Sequence, residues 1–390
     1  MTPLDQIHAL LAEPVTVAAE RERQTFPALL AETDGSVVLF GAGRLGRLCA
    51  RALRRSGVTL RAFCDRNPQL HGQKIEGAVV LNPEEAARQF GASALFVVSI
   101  WTGTARESMT ERMDFLRRLD CRFVANYAAL VWAHGRGETP FHSFDLPTRV
   151  LESAPALRDL ARLLTDQTSL RTLLAVLRQR LRGEFDSAPP ATDQYFPRDV
   201  VALRTDEVFI DGGAFTGDTL DAFLARAGSG FRAYHACEPD PANAAQLRRR
   251  VVELPEPVRQ KISVHEVALH ARNEPVGFAG EGSPTSKIVP GGGSRVPGRT
   301  LDSLFSDQPV TFLKLDVEGA ERDALLGARA VISRCQPLAA ICVYHGPCDL
   351  WEIPLASHEL LPEHRLFLRQ HQFDGYELVI YAVPPDRSIR

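Results

Sequence analysis

An acidic residue followed by closely spaced glycines marks the segment "VFIDGGAFTGDTL" at residues 208–220. Asp211 precedes Gly212 and Gly213, and Gly217 follows, but no GK[ST] sequence completes a phosphate loop. The carboxylate of Asp211 would repel phosphate and can pair with an ammonium group, while Gly213 leaves room for a nucleoside. Glu238, 25 residues after Gly213, can accept hydrogen bonds from both hydroxyls of a ribose. Acid, glycines and acid at two successive strand ends predict a site for S-adenosylmethionine; the alternative is a turn beside a surface carboxylate.

Further polar side chains follow a later strand-like segment, in "KLDVEGAE" at residues 314–321. Lys314 and Asp316 share one strand face, and Glu318 follows where the strand turns into a helix. Ligands of open α/β sheets bind at the carboxyl ends of the strands, so we expect Asp316 to face substrate or cofactor. Glu318 is interpreted as a substrate ligand or, with Asp316, as half of a divalent-metal site, and no metal ligand is firm. For Glu321 the main alternative is a favourable position at a helix N-terminus, and Lys314 would pair with these carboxylates or bind a substrate phosphate.

Transfer of a methyl group from S-adenosylmethionine requires a nucleophile held close to it and, where the nucleophile is protonated, a group that takes its proton. His345 ends a strand-like segment in "CVYHGPCDLW", and an imidazole with a pKa of about 6.5 suits a general base at neutral pH. We therefore predict His345, Asp316 and Glu318 as catalytic residues, with a structural or substrate-binding role as the alternative for His345. Tyr195 would close over adenine or substrate, or else anchor the preceding linker.

An earlier segment, "VVLFGAGRLGRL" at residues 37–48, carries the pattern GxGxxG between a strand-like and a helix-like stretch. Gly41 permits a tight turn, Gly43 lets a pyrophosphate approach the backbone, and Gly46 allows helix and strand to pack closely. Asp65 ends the next strand-like stretch 24 residues after Gly41, at the place of a ribose-binding acid. The residues of this predicted second nucleotide site are Gly41, Gly43, Arg44, Leu45, Gly46 and Asp65. The alternative is a domain kept for packing or assembly, since no hydride-transfer pattern such as Tyr-x-x-x-Lys accompanies the loop.

Strand-like and helix-like segments alternate in the first third and again in the second half of the chain, which predicts parallel sheets covered by helices. The last two strand-like segments, "HRLFLRQHQ" and "YELVIYAVP", leave no room for a helix between them, so an antiparallel hairpin should end the second sheet. The predicted fold class is α/β with two Rossmann-like domains. We assign residues 1–145 to a nucleotide-binding domain, 146–193 to a helical connector and linker, and 194–390 to a second domain. The glycine- and serine-rich segment 280–298 is predicted to be a flexible loop beside the site.

Leucines recur at helical spacing in the connector. They are Leu157, Leu160, Leu164, Leu170, Leu173, Leu177 and Leu181. Such an apolar stripe either packs against a neighbouring domain or forms a subunit interface. The second interpretation makes the chain a candidate homodimer through the connector.

Composition limits the classes of function. A chain of 390 residues suggests two domains, and 45% hydrophobic with 24% charged residues is typical of a soluble globular protein. A net charge of -3 gives no general attraction to nucleic acid or anionic membranes, and no apolar run approaches the roughly 20 residues of a membrane span. The amino-terminal segment lacks the features of a signal peptide. The seven cysteines form no CxxC pair, which fits reduced thiols, no structural zinc and a cytoplasmic location.

From about residue 194 to residue 385 the chain resembles the FkbM family of S-adenosylmethionine-dependent methyltransferases. The stretches that carry the resemblance are, in order, "QYFP", "FIDGGAFTGDT", "CEPDPAN", "RTLDSL", "FLKLDVEGAERDALLGA" and "ICVYHGPCDLWEIP". The resemblance implies a class I methyltransferase-type fold and methyl transfer to oxygen, with sugars or natural products as acceptors. The residues expected to contact the cofactor are Tyr195, Asp211, Gly212, Gly213, Phe215, Thr216, Gly217, Glu238, Pro239 and Ala268.

The stretch "GAGRLGR", together with "FCDRNPQLHGQKIEGAVVL", is similar to small Rossmann domains attached to sugar-modifying enzymes. This similarity favours a nucleotide or nucleotide-sugar as the ligand, with NAD(P) as another candidate. The sequence thus predicts an O-methyltransferase that acts on a hydroxyl of a sugar, nucleotide-sugar, glycan precursor or natural-product precursor. Two alternatives concern the first domain: an NAD(P)-dependent reductase or epimerase, or a non-catalytic module for recruitment or assembly.

Overall fold

The chain divides into two compact units. The computed structural model describes residues 1–101, 107–135, 141–185, 190–280, 287–288 and 293–387. Unit 1 comprises Met1–Ala161, Leu170–Pro190 and Gln372–Tyr376, and unit 2 comprises Arg162–Ser169, Ala191–His371 and Glu377–Arg390. Residues of the predicted connector, 146–193, fall in both units. Within the described ranges, every helix falls short of the length and apolar character that crossing a bilayer requires.

Helices and strands alternate in the first third of the chain. They are α1 (Pro3–Leu10), α2 (Val15–Ala31), β1 (Ser36–Phe40), α3 (Arg44–Ser56), β2 (Thr59–Cys64), β3 (Lys74–Ile75), β4 (Ala78–Leu81), α4 (Pro83–Phe90), β5 (Leu95–Val98), α5 (Met109–Arg118), β6 (Phe123–Asn126) and α6 (Ala128–His134), with a 3-10 turn at Pro68–Leu70. In the described part of this region the strands form one six-stranded sheet in the order β3-β4-β2-β1-β5-β6. All neighbours pair parallel except β3 with β4. The predicted parallel sheet is confirmed for this region.

The first strand and its following helix show why this region folds as it does. All five residues of β1 are buried, as expected for a central parallel strand with helices on both faces. The helix α3 buries Leu45, Leu48 and Leu53 on one face. It ends at Gly57, whose φ of 72° is a left-handed conformation that glycine adopts without strain. The strand and helix therefore hold the glycine loop between them in a fixed position.

Three helices, α7 (Pro147–Glu152), α8 (Ala154–Leu163) and α9 (Gln167–Arg182), occupy the predicted connector. The seven leucines of its stripe are all buried in the chain by itself. The stripe is therefore part of the protein core and offers no free apolar face to a second subunit. The homodimer stays a prediction and has no support from this face.

The second half of the chain again alternates strands and helices. Its elements are β7 (Val208–Gly212), α10 (Asp218–Ala227), β8 (Ala233–Cys237), α11 (Pro241–Glu253), α12 (Glu256–Arg259), β9 (Ile262–His265), β10 (Ala268–Leu269), β11 (Pro275–Ala279), β12 (Lys287–Ile288), β13 (Ser294–Arg299), α13 (Leu301–Leu304), β14 (Phe312–Leu315), α14 (Glu321–Leu326), α15 (Arg329–Cys335), β15 (Leu338–Cys342), α16 (Asp349–Leu360), β16 (Arg365–Gln370) and β17 (Leu378–Val383), with a 3-10 turn at Pro385–Arg387.

The main sheet of unit 2 has seven strands among the described residues, in the order β16-β17-β15-β14-β7-β8-β9. The strands from β15 to β9 pair parallel, whereas β17 is antiparallel to both β15 and β16. The predicted antiparallel hairpin at the end of this sheet is therefore confirmed. Aromatic rings fill the core beside its centre: the ring of Phe209 lies 4.6 Å from that of Phe312 and 5.0 Å from that of Tyr234.

A second, smaller sheet in the order β10-β13-β11-β12 corrects the interpretation of segment 280–298 as a loop. Residues 287–288 and 294–298 of that segment lie in β12 and β13, and the side chains of Val276, Phe278 and Val296 pack together there with Ala268. Val276 and Phe278 alternate with polar or small residues along β11 and supply most of this small core together with Val296, which glycine content alone does not reveal. The rest of the predicted loop, residues 281–286 and 289–292, lies outside the described residues.

Candidate functional site

The first glycine loop, in unit 1, is close-packed at two of its three glycines. Gly41 has a φ of 110°, and a Cβ atom there would lie 2.4 Å from Ile100 Cγ1. A Cβ at Gly46 would lie 2.0 Å from the Gly41 carbonyl oxygen, whereas one at Gly43 would meet nothing within 4 Å. The fold therefore requires Gly41 and Gly46, and Gly43 is free of any steric requirement from the described protein atoms.

The acid predicted to bind ribose faces this loop. The carboxylate of Asp65 accepts hydrogen bonds from the backbone N–H groups of Ala42 and Asn67, each at 2.9 Å. Arg44 begins α3 with an exposed side chain whose guanidinium lies 5.4 Å from the ring centroid of Phe141, while Leu45 is buried. The structure thus brings Asp65 to the glycine loop as predicted, and it assigns Leu45 to the core of the helix.

The second glycine loop, in unit 2, is packed even more closely against its neighbours. Gly213 has a φ of 78°, and a Cβ there would lie 1.8 Å from the carbonyl oxygen of Asp316. Gly217 has a φ of 101° and precedes α10, where a Cβ would lie 2.8 Å from Leu247 Cδ1. Only glycine satisfies both the left-handed backbone and these contacts. The loop is consequently pinned between β14 and α11.

A cavity of about 190 Å³ opens where β7, β8 and β14 end. Six of the predicted cofactor residues line it: Tyr195, Gly213, Phe215, Glu238, Pro239 and Ala268. Four others, Asp211, Gly212, Thr216 and Gly217, belong to the loop but are not among the lining residues. The predicted catalytic residues Asp316 and Glu318 line the same cavity, and His345 lies behind them.

Asp211 is fully buried and does not face the cavity. One carboxylate oxygen lies 2.9 Å from Lys314 Nζ, and the other accepts a 2.5 Å hydrogen bond from the Tyr234 hydroxyl. Lys314 also donates to the Gly213 carbonyl at 2.7 Å. Burial opposes the charge on Lys314, but the carboxylate of Asp211 raises the pKa of the ammonium group above its ordinary value. The expected pairing of Asp211 with a ligand ammonium is therefore replaced by an internal ion pair with Lys314.

Glu238 lines the cavity from the end of β8. Each of its oxygens accepts one backbone hydrogen bond at 2.9 Å, from Phe215 and from Asp240. Burial raises the pKa of this carboxyl group to about 7, against the opposing effect of those two hydrogen bonds. Asn243 Nδ2 donates a third, longer hydrogen bond of 3.5 Å to Glu238 Oε1, so of the roughly four lone-pair sites of a carboxylate, one on Oε2 remains for a ligand. The carboxamide oxygen of Asn243, also on the cavity wall, is buried without a hydrogen-bond partner among the described residues.

His345, Asp316, Glu318 and Glu321 form an ion cluster at the other end of the cavity. The imidazole Nδ1 lies 3.0 Å from Glu321 Oε1, and Nε2 lies 3.4 Å from Asp316 Oδ1 and 3.8 Å from Glu318 Oε2. Burial by itself would lower the pKa of His345, but the neighbouring carboxylates, Glu321 foremost, raise it to about 10. The expectation of an ordinary pKa near 6.5 is therefore wrong, because the imidazole is protonated at neutral pH and cannot accept a further proton.

The carboxyl groups of this cluster differ in pKa and in hydrogen bonding. Burial opposes ionisation of Asp316, yet Lys314 and then His345 hold the pKa of Asp316 below its ordinary value. Asp316 also accepts a 2.7 Å hydrogen bond from the Tyr195 hydroxyl. Burial raises the pKa of Glu318 to about 7, with a smaller opposing effect from His345. Glu318 has a φ of 53°, a left-handed conformation that is uncommon for a residue other than glycine, asparagine or aspartate.

Sequence reasoning missed another carboxyl group of the cavity wall, Glu377, which precedes β17. It accepts hydrogen bonds from Gln194 Nε2 at 2.5 Å and from the Tyr344 hydroxyl at 3.0 Å. Burial, followed by the charge of Asp316, raises the pKa of Glu377 to about 7. These residues come from separate parts of unit 2, so no local motif indicated them. Phe278 and Ile288 of the small sheet, also missed, give the cavity its apolar wall.

Among the described residues, two groups have ligand-type atoms close enough to hold a cation: Asp316, Glu321 and His345, and Asp316, Cys342 and Glu377. In the first group, both oxygens of Glu321 already accept backbone hydrogen bonds and one pairs with His345. In the second, burial raises the pKa of the Cys342 thiol well above its ordinary value, which disfavours a thiolate ligand. The predicted pairing of Asp316 with Glu318 around a metal remains a prediction.

This chain is similar to a protein family and to several solved structures. Residues 206–374 match the family model described as Methyltransferase FkbM domain. A crystal structure described as methyltransferase FkbM from Methylobacillus flagellatus KT is 23% identical, with a TM-score of 0.78 over 97% of this chain and 100% of that one. SMU.1697c of Streptococcus mutans, in complex with SAH, is 11% identical, with a TM-score of 0.30 over 47% of this chain and 90% of that one.

The structure of RSP in complex with beta-NADH is 24% identical, with a TM-score of 0.21 over 26% of this chain and 49% of that one. None of the curated proteins matches the chain. The fold is therefore shared with the Methylobacillus flagellatus protein along nearly the whole length of both chains.

The ion cluster predicts how stability depends on pH. The pKa of His345 is about 10 in the folded protein and about 6.5 in an unfolded chain, so its stabilising contribution is fully present below about pH 6.5. It is lost as the pH rises through about 10. We expect His345→Gln to lower the free energy of unfolding by a few kcal/mol at about pH 6 and by much less at about pH 10. Urea unfolding of both proteins measures this, and a difference that does not change with pH would contradict the charged imidazole.

Proposed function

We propose that this chain transfers the methyl group of S-adenosylmethionine to a hydroxyl of a sugar, nucleotide-sugar or related precursor, since residues 206–374 match the FkbM methyltransferase family model. The proposal includes a class I methyltransferase-type fold for unit 2. Its support is the strand order β9-β8-β7-β14-β15, with the antiparallel β17 and β16 at one edge. The cavity lies at the carboxyl ends of the central strands, where open α/β sheets bind ligands.

The observation that carries the proposal is the carboxylate of Glu238. It lines the cavity while two backbone N–H groups and Asn243 Nδ2 hold it in place, and its Oε2 keeps a lone pair for a ribose hydroxyl. The unpartnered Asn243 oxygen adds a hydrogen-bond acceptor beside it, and Phe278 and Ile288 provide an apolar surface for a base. A ribose and a purine require these three elements together, so the residues present fit S-adenosylmethionine.

The other end of the cavity suits the acceptor. Bound S-adenosylmethionine would supply an electrophilic methyl carbon attached to a sulfonium. Gln194, Tyr344, Glu318 and Glu377 surround the remaining space with hydrogen-bonding groups, which fits a polyhydroxylated acceptor better than an apolar one. The protein's task is to hold the hydroxyl close to the methyl carbon, away from bulk water, and to accept its proton.

For unit 1 we propose a nucleotide or nucleotide-sugar at the first glycine loop. The support is Gly43, where the described protein atoms leave open space in front of an exposed backbone, together with the carboxylate of Asp65 beside the loop. The N-terminus of α3 adds backbone N–H groups and a positive dipole end that favour an anionic ligand.

Calorimetry tests the cofactor assignment. We expect Glu238→Ala to weaken binding of S-adenosylmethionine at least 30-fold, since hydrogen bonds to a charged group contribute about 1.5–3 kcal/mol each. Glu266→Ala is the matched control, because this glutamate is exposed and pairs with Arg248 on the surface. Thermal unfolding verifies that both variants are folded. Wild-type affinity in Glu238→Ala would show that the cofactor does not bind this carboxylate.

Mass spectrometry tests the acceptor class. The full chain is incubated with S-adenosylmethionine and a mixture of UDP-, GDP- and dTDP-hexoses, and we expect one of them to gain the mass of a methylene group. Glu238→Ala should suppress this product, which excludes methylation by a contaminant. A wild-type protein that binds cofactor but methylates none of these sugars would contradict the sugar acceptor and leave the cofactor site intact.

Ligand binding to the full chain tests unit 1. S-adenosylhomocysteine is present in excess to fill the cavity of unit 2. We then expect a nucleotide-sugar or NAD(P) to bind wild type, and to bind Asp65→Ala at least 10-fold more weakly because charged hydrogen bonds are lost. The Glu238→Ala variant should bind this second ligand normally. Binding of NADPH or NADH alone would favour a reductase or epimerase, and no binding of any nucleotide would favour a non-catalytic module.

A further inference from the structure

We propose that Glu318 takes the proton of the acceptor hydroxyl, and that Glu321 and His345 position it; this rests on the methyl transfer proposed above. Glu318 lines the cavity, and its side chain is 25% exposed. Its carboxylate accepts no hydrogen bond from any residue that the structure describes, and its nearest charged partner is His345 Nε2 at 3.8 Å. Its lone pairs are therefore available to a ligand.

The other carboxylates of the cavity are already engaged. Asp316 accepts from the Tyr195 hydroxyl with one oxygen, and its other oxygen lies 3.4 Å from His345 Nε2. Glu377 accepts from Gln194 and Tyr344. Glu238 accepts two backbone hydrogen bonds at the end assigned to the ribose.

Two further candidates are excluded by their chemistry. Asp218 takes a hydrogen bond from the Thr219 backbone in the first turn of α10. His345 is held in its protonated form by three carboxylates and has no free nitrogen lone pair. Glu318 is the remaining acid on the cavity wall that can accept a proton without giving up an existing contact.

The backbone holds Glu318 in a strained conformation. Its φ of 53° is followed by a φ of 98° at Gly319. Glu321 braces this turn from both sides, because its carboxylate accepts the backbone N–H of Val317 at 2.8 Å and that of Gly319 at 3.1 Å. Such strain persists where the surroundings over-determine it, and it is concentrated at functional sites.

His345 completes the arrangement. One ring nitrogen pairs with Glu321, and the other lies within 4 Å of both Asp316 and Glu318. The imidazolium thus offsets the repulsion between the two carboxylates and favours the ionised form of Glu318 against the effect of burial. Glu321 and His345 are positioning residues, since they act through Glu318.

In the proposed step, each bond that forms is matched by one that breaks. The acceptor O–H bond breaks and its proton goes to the Glu318 carboxylate, while an oxygen lone pair forms the new bond to the methyl carbon. The bond between that carbon and sulfur breaks at the same time, and its electron pair stays on sulfur as a neutral thioether. Release of the proton from Glu318 to water restores the starting state.

Kinetics provide the first test. On any acceptor that wild type methylates, we expect Glu318→Gln to lower kcat about 10²- to 10⁴-fold, the usual contribution of a general base, with the acceptor KM within about threefold of wild type. Formate should partly restore turnover in Glu318→Ala by replacing the missing carboxylate. Glu363→Gln, an exposed glutamate between α16 and β16, is the matched control. A wild-type kcat in Glu318→Gln overturns the proposal.

Stability and binding provide tests that need no acceptor. Asparagine adopts the left-handed conformation more readily than glutamate, so Glu318→Asn should raise Tm by about 2–4 °C while S-adenosylhomocysteine still binds within twofold of wild type. A lower Tm would show that Glu318 serves the fold and would overturn the proposal. The Tm comparison uses the protein without cofactor, so it tests Glu318 independently of cofactor binding. If wild type binds no S-adenosylhomocysteine, the proposed methyl transfer is overturned instead.

Discussion

The ion pair between Lys314 and Asp211 is the contact on which the site of unit 2 depends. The two residues are register partners on the adjacent parallel strands β14 and β7, and both side chains are fully or almost fully removed from water. Removing one partner of a buried pair typically destabilises a protein by about 3–5 kcal/mol, because the remaining charge is left uncompensated. Here the pair also has a directional role, since Lys314 donates to the Gly213 carbonyl and lies 5.1 Å from the Tyr195 ring centroid.

The ammonium group of Lys314 connects the glycine loop with Asp316 and, through it, with Tyr195. It fixes the glycine loop through Gly213, and it lowers the pKa of Asp316, which in turn accepts the hydroxyl of Tyr195. The cavity therefore has one end defined by Glu238 and the other by acids whose charge states depend on Lys314 and His345. The pKa values of Asp316 and Glu318, two residues apart, are shifted in opposite directions, and such a difference gives neighbouring carboxyl groups different roles in one site.

Much of this could be predicted from the sequence, for reasons that are local. Strand ends, turn glycines and the acids that follow them are close together in the chain, so their types and spacing indicated Glu238, Asp316 and the loop at Gly213. The fate of Asp211 could not be predicted, because its partners Lys314 and Tyr234 belong to other strands. The same holds for His345: its pKa depends on Glu321, whose side chain folds back along its own turn. Glu377 and Gln194 are 183 residues apart in the chain, and the fold of unit 2 brings their side chains together at the cavity.

The small sheet that carries Phe278 and Ile288 has a separate consequence for the evolution of this protein. It shares no strand with the seven-stranded sheet among the described residues, and its own core consists of a few apolar side chains. Mutations in it can reshape one wall of the cavity without disturbing the strand pairing that holds Glu238, Lys314 and Asp316. Ligand preference can therefore change while the chemical groups stay the same, because the apolar wall and the strands that hold those groups lie on different sheets.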